Sequence, residues 1–205
     1  MNPSGTPRRS TSGSSSERSS PRRQMSRAED PQTSRKAMSR EATAYHEAGH
    51  AVAAWKLGYR PIIVSIAAAN ESVGEVRHES PFPGDSLEFD GSDLARLRVE
   101  RAIIIRLAGP IAQKRYRPTS WRRWQGGADY AVAADLALRV CGSGKIASAF
   151  LKWLDLRTQQ LIEDHRSAVE RLATALMKRG MMNQEEVAAF MQRHARRMLL
   201  PRLTP

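Results

Sequence analysis

Cysteine is almost absent from this chain: Cys141 is the single one in 205 residues. One thiol can form neither an internal disulfide nor a thiolate zinc cluster. A reducing compartment suits such a chain, and the cytoplasm is the expected location. Long apolar runs are missing too. The richest, Pro61–Ala69 and Ala102–Ala108, have the length of a strand or a core helix, well short of the 18 or more residues of a membrane span. The N-terminus has no apolar run and does not read as a secretory signal. Aromatic residues make up only 6%, but 40% of the chain is hydrophobic, enough for one globular core.

Acidic residues are in deficit. Lys and Arg number 33 against 21 Asp and Glu, a net charge of +12. Residues 1–40 hold nine basic and three acidic residues and so carry about half of that excess. Residues 1–36 are dominated by Ser, Arg, Pro, Gly and Thr, a composition that buries too little apolar surface to offset the entropy of ordering. They read as a disordered, solubilising arm. Attraction to nucleic acid or an acidic surface is the second reading. No aromatic residue interleaves the basic ones there, which argues against single-strand binding.

What is present is a run of helices beginning with a chemically loaded one. Ser39 is a plausible N-cap and Gly58 a stop, which predicts a helix from Ser39 to Leu57. On it, Ala44-Tyr45-His46-Glu47-Ala48-Gly49-His50-Ala51 places two histidines four apart with a glutamate beside the first. Positions i and i+4 share one helix face, so two imidazoles can bind one metal ion and Glu47 can reach a water on it. Gly49 either makes room beside the metal or admits another helix. Pro61–Ala69 and Val73–His78 read as a small hairpin, with a turn at Asn70–Ser72. Ser80–Gly91 is a loop on its Pro and Gly content. Ser92 caps a helix to Tyr116 with Leu94, Leu97, Ala102, Ile105, Leu107 and Ala108 on its buried side, kinked or broken at Gly109-Pro110. Arg117–Gly127 is a loop whose Trp121, Arg122, Arg123 and Trp124 pack on a core edge or contact a partner. Helices follow at Ala128–Val140 and Ile146–Arg166, and Ser167–Arg179 either continues the latter or turns at an angle. Gly180 stops it, and Asn183 with Glu186 has capping-box spacing before Gln184–Leu199. The fold class is mainly α with a small β-hairpin or sheet, in one domain over residues 37–200.

A catalytic zinc site usually takes three protein ligands. The third is open on the residues alone. His78 lies in the second strand. His165 and His194 sit on late helices among charged residues, and Glu71, Glu75 and Glu79 lie on or near the hairpin. Asp129 follows Gly126-Gly127-Ala128 in the first turn of a helix, where the helix N-terminus favours its charge.

Four blocks, in order, resemble the peptidase domain of the FtsH family, the membrane-bound ATP-dependent zinc metalloproteases. They are Thr43 to Ala51; Val64-Ser65-Ile66 with Gly74-Glu75-Val76; Leu107-Ala108-Gly109-Pro110-Ile111-Ala112 with Gly126 to Ala137; and Leu161 to Met177 with Glu185-Glu186-Val187. The resemblance spans about residues 39–192. It implies an FtsH-peptidase-like helical domain with zinc as cofactor, His46, His50 and Asp129 as ligands, and Glu47 as general base. It also implies that a substrate peptide pairs with the second strand at Gly74, Glu75 and Val76. The expected activity is endopeptidase cleavage of unfolded or flexible segments, without an ATPase module or membrane anchor. A separate unfoldase and a homo-oligomer are the partners it suggests. A non-catalytic binding module, recruited to protein or nucleic acid through the basic arm, is the alternative.

Overall fold

Small residues decide how the helices meet. The computed structural model of the chain describes residues 31–66, 75–78, 91–120 and 127–199. Helix α1, Pro31–Lys56, carries buried Ala44, Ala48, Ala51 and Val52 along one side. It packs against α2, Asp93–Tyr116, and against α5, Arg166–Arg179. A Cβ added at Gly49 would lie 2.5 Å from the Ala108 carbonyl oxygen and 2.7 Å from Ala112 Cβ. Gly49 is therefore a helix-packing glycine, and any side chain there would push α2 away. Helix α1 begins at Pro31 rather than at Ser39. Proline suits the first helical position, where no N–H is required, and Ser39 lies within the helix rather than at its start.

Helix α2 corrects two expectations. It is not broken at Gly109-Pro110 but continues through them to Tyr116. An interior proline costs about 3 kcal/mol, but Ile103, Ile104, Ile105, Leu107, Ala108, Ile111 and Ala112 are all buried around it. At about 1.5–3 kcal/mol for each large apolar side chain buried, packing outweighs that cost. Leu94 and Leu97 are exposed, because the buried run starts only at Val99. The cap is as expected: Ser92 Oγ accepts from the Ala95 N–H at 3.1 Å.

Helices α3, Gly127–Cys141, and α4, Gly144–Asp164, pack on α2 and on each other. Between α4 and α5 the chain breaks at His165, so Ile146–Arg179 is two helices rather than one. Gly180, at φ 80°, caps α5 through its N–H to the Leu176 carbonyl. Asn183 and Glu186 then exchange side chain-to-backbone hydrogen bonds, both 3.0 Å, and start α6, Gln184–Leu199.

The β element is a three-stranded antiparallel sheet in the order β2-β1-β3, formed by Glu75–His78, Pro61–Ser65 and Met181–Asn183. The hairpin pairs Val64 with Val76 and Pro61 with His78, with a bulge between Pro61 and Ile63. Strand β3 adds to the other side of β1 and was not anticipated. Strand β2 is terminal in the order. The turn at Asn70–Ser72, the loop at 80–90, Gly74 and the Trp121–Trp124 cluster lie outside the described residues. No helix of the described residues is long and apolar enough to cross a membrane.

Candidate metal centre

His46 and His50 stand one turn apart on α1, their rings edge to face with centroids 4.7 Å apart. Their Nε2 atoms lie 3.0 Å from each other. Asp129, in the first turn of α3, brings Oδ2 to 3.1 Å from His46 Nε2 and 3.4 Å from His50 Nε2. Of the candidates for a third ligand, Asp129 joins the two histidines in a group able to hold a metal ion. His78 lines the same cleft but is not part of that group. His194 is bonded to Ser167 between α5 and α6, and His165 ends α4. Of the residues expected to pair with a substrate, Val76 lines the cleft and Glu75 pairs with Ser65.

The far sides of the imidazoles fix their tautomers. His50 Nδ1 lies 2.7 Å from the Ile105 carbonyl, which can only accept, so Nδ1 carries the proton. His46 Nδ1 donates in the same way to Gln113 Oε1 at 3.1 Å. When neutral, each ring then turns an Nε2 lone pair toward the other and toward a carboxylate. Three donor atoms with no hydrogen among them repel unless a positive charge lies between them. This is the donor set a divalent metal requires, with its outer hydrogen bonds already in place.

Without a metal, protons on the Nε2 atoms supply that charge. Burial favours the neutral form of Asp129, but the two imidazoles overcome it and hold the carboxyl far below the usual carboxylate range. Burial likewise pulls His50 down, but Asp129, with help from Glu47 and the Ile105 carbonyl, raises it overall. Glu47 itself is buried at 6% exposure beside the histidines. His46, Glu47, His50, Val76, His78, Ile105, Arg106 and Asp129 enclose a cleft of about 220 Å³.

Four contributors are not evident from the residues alone: the Ile105 carbonyl, Gly109, Gln113 and Arg106. A Cβ at Gly109 would overlap the His50 ring, reaching within 2.6 Å of Cε1. Glycine at this position is what lets the imidazole lie flat on α2. A trace of this was visible: Ile105, Gly109 and Gln113 are spaced by four, one face of a helix, and Gln113 is a lone amide after an apolar run. No protein-family model and no curated protein matches the chain.

Proposed function

We propose that the protein is a zinc-dependent endopeptidase in which Glu47 is the general base and His46, His50 and Asp129 hold the metal. The convergence of two Nε2 lone pairs and one carboxylate oxygen beside a buried glutamate carries this reading. In a tetrahedral zinc site with bonds of about 2.0–2.1 Å, ligand atoms stand roughly 3.3 Å apart. The separations here, 3.0, 3.1 and 3.4 Å, bracket that spacing. The resemblance of the sequence blocks to the FtsH-type peptidase domain supports the same assignment.

A bound zinc ion would polarise the scissile carbonyl and lower the pKa of a water to about 7. Glu47 takes the proton of the attacking water and returns it to the leaving amine. Its place between the two ligands in sequence keeps it beside the reacting atoms whenever both histidines are bound. Strand β2 is the terminal strand of the sheet, and Val76 and His78 alternate onto the cleft. An extended substrate pairing with β2 at Glu75 and Val76 would lie across the metal, read through its backbone. Such binding admits unfolded or flexible segments, and folded proteins only when a separate unfoldase delivers them.

Zinc content and cleavage of an unfolded casein-type substrate test this together. Glu47→Gln should keep one zinc per chain and lose about 10²–10⁴-fold in rate. Asp129→Ala should lose both metal and activity. Wild-type cleavage by Glu47→Gln, or full zinc in Asp129→Ala, would refute the assignment. Salt-sensitive DNA binding by a wild-type protein that cuts nothing would favour a recruitment module.

A further inference from the structure

The cleft contains a cation that the chemistry above leaves unused. Arg106 follows Ile105 on α2 and lines the cleft with Glu47 and the three ligands. Its Nη1 stands 3.5 Å from Asp129 Oδ1, while Oδ2 is the oxygen against the imidazoles. That distance is the outer limit of a hydrogen bond, and the side chain is 48% exposed. An ion pair so long and so wet contributes little to holding Asp129. The two imidazoles already fix that carboxylate from its other oxygen. A guanidinium carries five N–H donors in a planar fork. Among the described residues, one long contact to Asp129 leaves most of that fork to engage something in the cleft.

Charge points to what that something is. The lining holds two carboxylates, Glu47 and Asp129, and one guanidinium. A bound divalent cation turns this excess of negative charge into an excess of positive charge. An anionic group entering the loaded cleft is then attracted, and Arg106 is the donor placed to receive it. Val76 and His78, which also line the cleft, carry no carboxylate.

We propose that Arg106 is a specificity-determining residue that docks a substrate carboxylate near the scissile bond, so that the site prefers peptides bearing Glu or Asp there. Arg rather than Lys suits the task, because its fork meets both oxygens of a carboxylate at once. The inference rests on the peptidase reading, and its test separates the two.

The test uses the full chain loaded with zinc and matched unstructured peptides, C-terminally amidated, in which one position after another is Glu or Gln. Wild type should cut at least one Glu peptide about tenfold faster in kcat/KM than its Gln partner. The ratio should fall to about one in Arg106→Leu, recover in part in Arg106→Lys, and turn toward Lys-bearing peptides in Arg106→Glu. Each ratio compares two substrates of one variant, so altered metal loading cancels. Peptides with a free C-terminal carboxylate form a second arm. A preference seen only there would assign Arg106 to the chain terminus and overturn the side-chain assignment. Fluorescence anisotropy of the same labelled peptides on Glu47→Gln gives a readout without turnover, and the Glu peptide should bind about tenfold tighter. Equal ratios in wild type, or a preference that survives in Arg106→Leu, would overturn the proposal. If wild type cuts no peptide, the peptidase reading falls, and the binding arm still decides whether Arg106 selects a carboxylate.

Discussion

A candidate metal site built from lone pairs depends on groups that supply no donor atom to it. Gly109 is the sharpest case. It ligates nothing, yet a single methyl group there would occupy the space of the His50 imidazole. Gly109→Ala should swing His50 off the Ile105 carbonyl and lower metal affinity by about 10–100-fold, the cost typical of losing an outer-shell contact. Chelator competition measures it, with helical circular dichroism as the control for folding. Retained affinity would show that α2 can shift, which its close packing on Gly49 opposes, since a Cβ added there would lie 2.5 Å from the Ala108 carbonyl oxygen. At this scale the sequence was informative where chemistry has a fixed spacing. The pairing of His46 and His50 at one candidate metal group could be read from it, because metal-ligand spacing and helix geometry share a period. Gln113 and Ile105 could not, since their roles exist only once α2 lies across α1. A backbone carbonyl has no sequence signature at all.

Elements follow the same division. Caps are local chemistry, and Ser92, Gly180 and Asn183 could be assigned by inspection. The Asn183–Glu186 pair satisfies two N–H groups reciprocally, so Asn183→Ala should cost about 1 kcal/mol in urea denaturation. Asn183 also pairs with Ile63 through its backbone, which alanine keeps. A loss well above 2 kcal/mol would mean that the side chain supports the sheet as well. Strand β3 itself was not legible: Met181-Met182-Asn183 shows no alternation long enough to read as a strand. It is extended because the chain leaving Gly180 falls beside β1, where the Gly180 carbonyl also accepts from the Ile66 N–H at 2.8 Å. Pro110 misleads for the converse reason. A local rule for ending helices was outweighed by burial that only the assembled core supplies.

Across the whole molecule, the late histidines couple stability to pH. Burial lowers the pKa of both His165 and His194. Lys56 and His194 oppose a charge on His165, only partly offset by Asp164. Arg171 and Lys56 oppose one on His194, whose Nε2 faces Ser167 and whose buried Nδ1 has no hydrogen-bond partner among the described residues. With folded pKa values below 6.5, the unfolded chain binds more protons as the solution acidifies. The contribution of these two groups is thus fully present above about pH 7.5 and is lost as pH falls through 6.5 toward their folded values. His50 acts in the opposite direction in metal-free protein. Its raised pKa adds stability below 6.5 that disappears as pH rises through the folded value. The separation therefore comes from a difference. In chelator, the melting temperature of wild type minus that of His165→Gln/His194→Gln should be more negative at pH 5.5 than at pH 7.5. An unchanged difference would place the acid sensitivity elsewhere. A parallel comparison in excess zinc should add a steeper acid loss to both proteins, because protons then compete with the metal for His46 and His50.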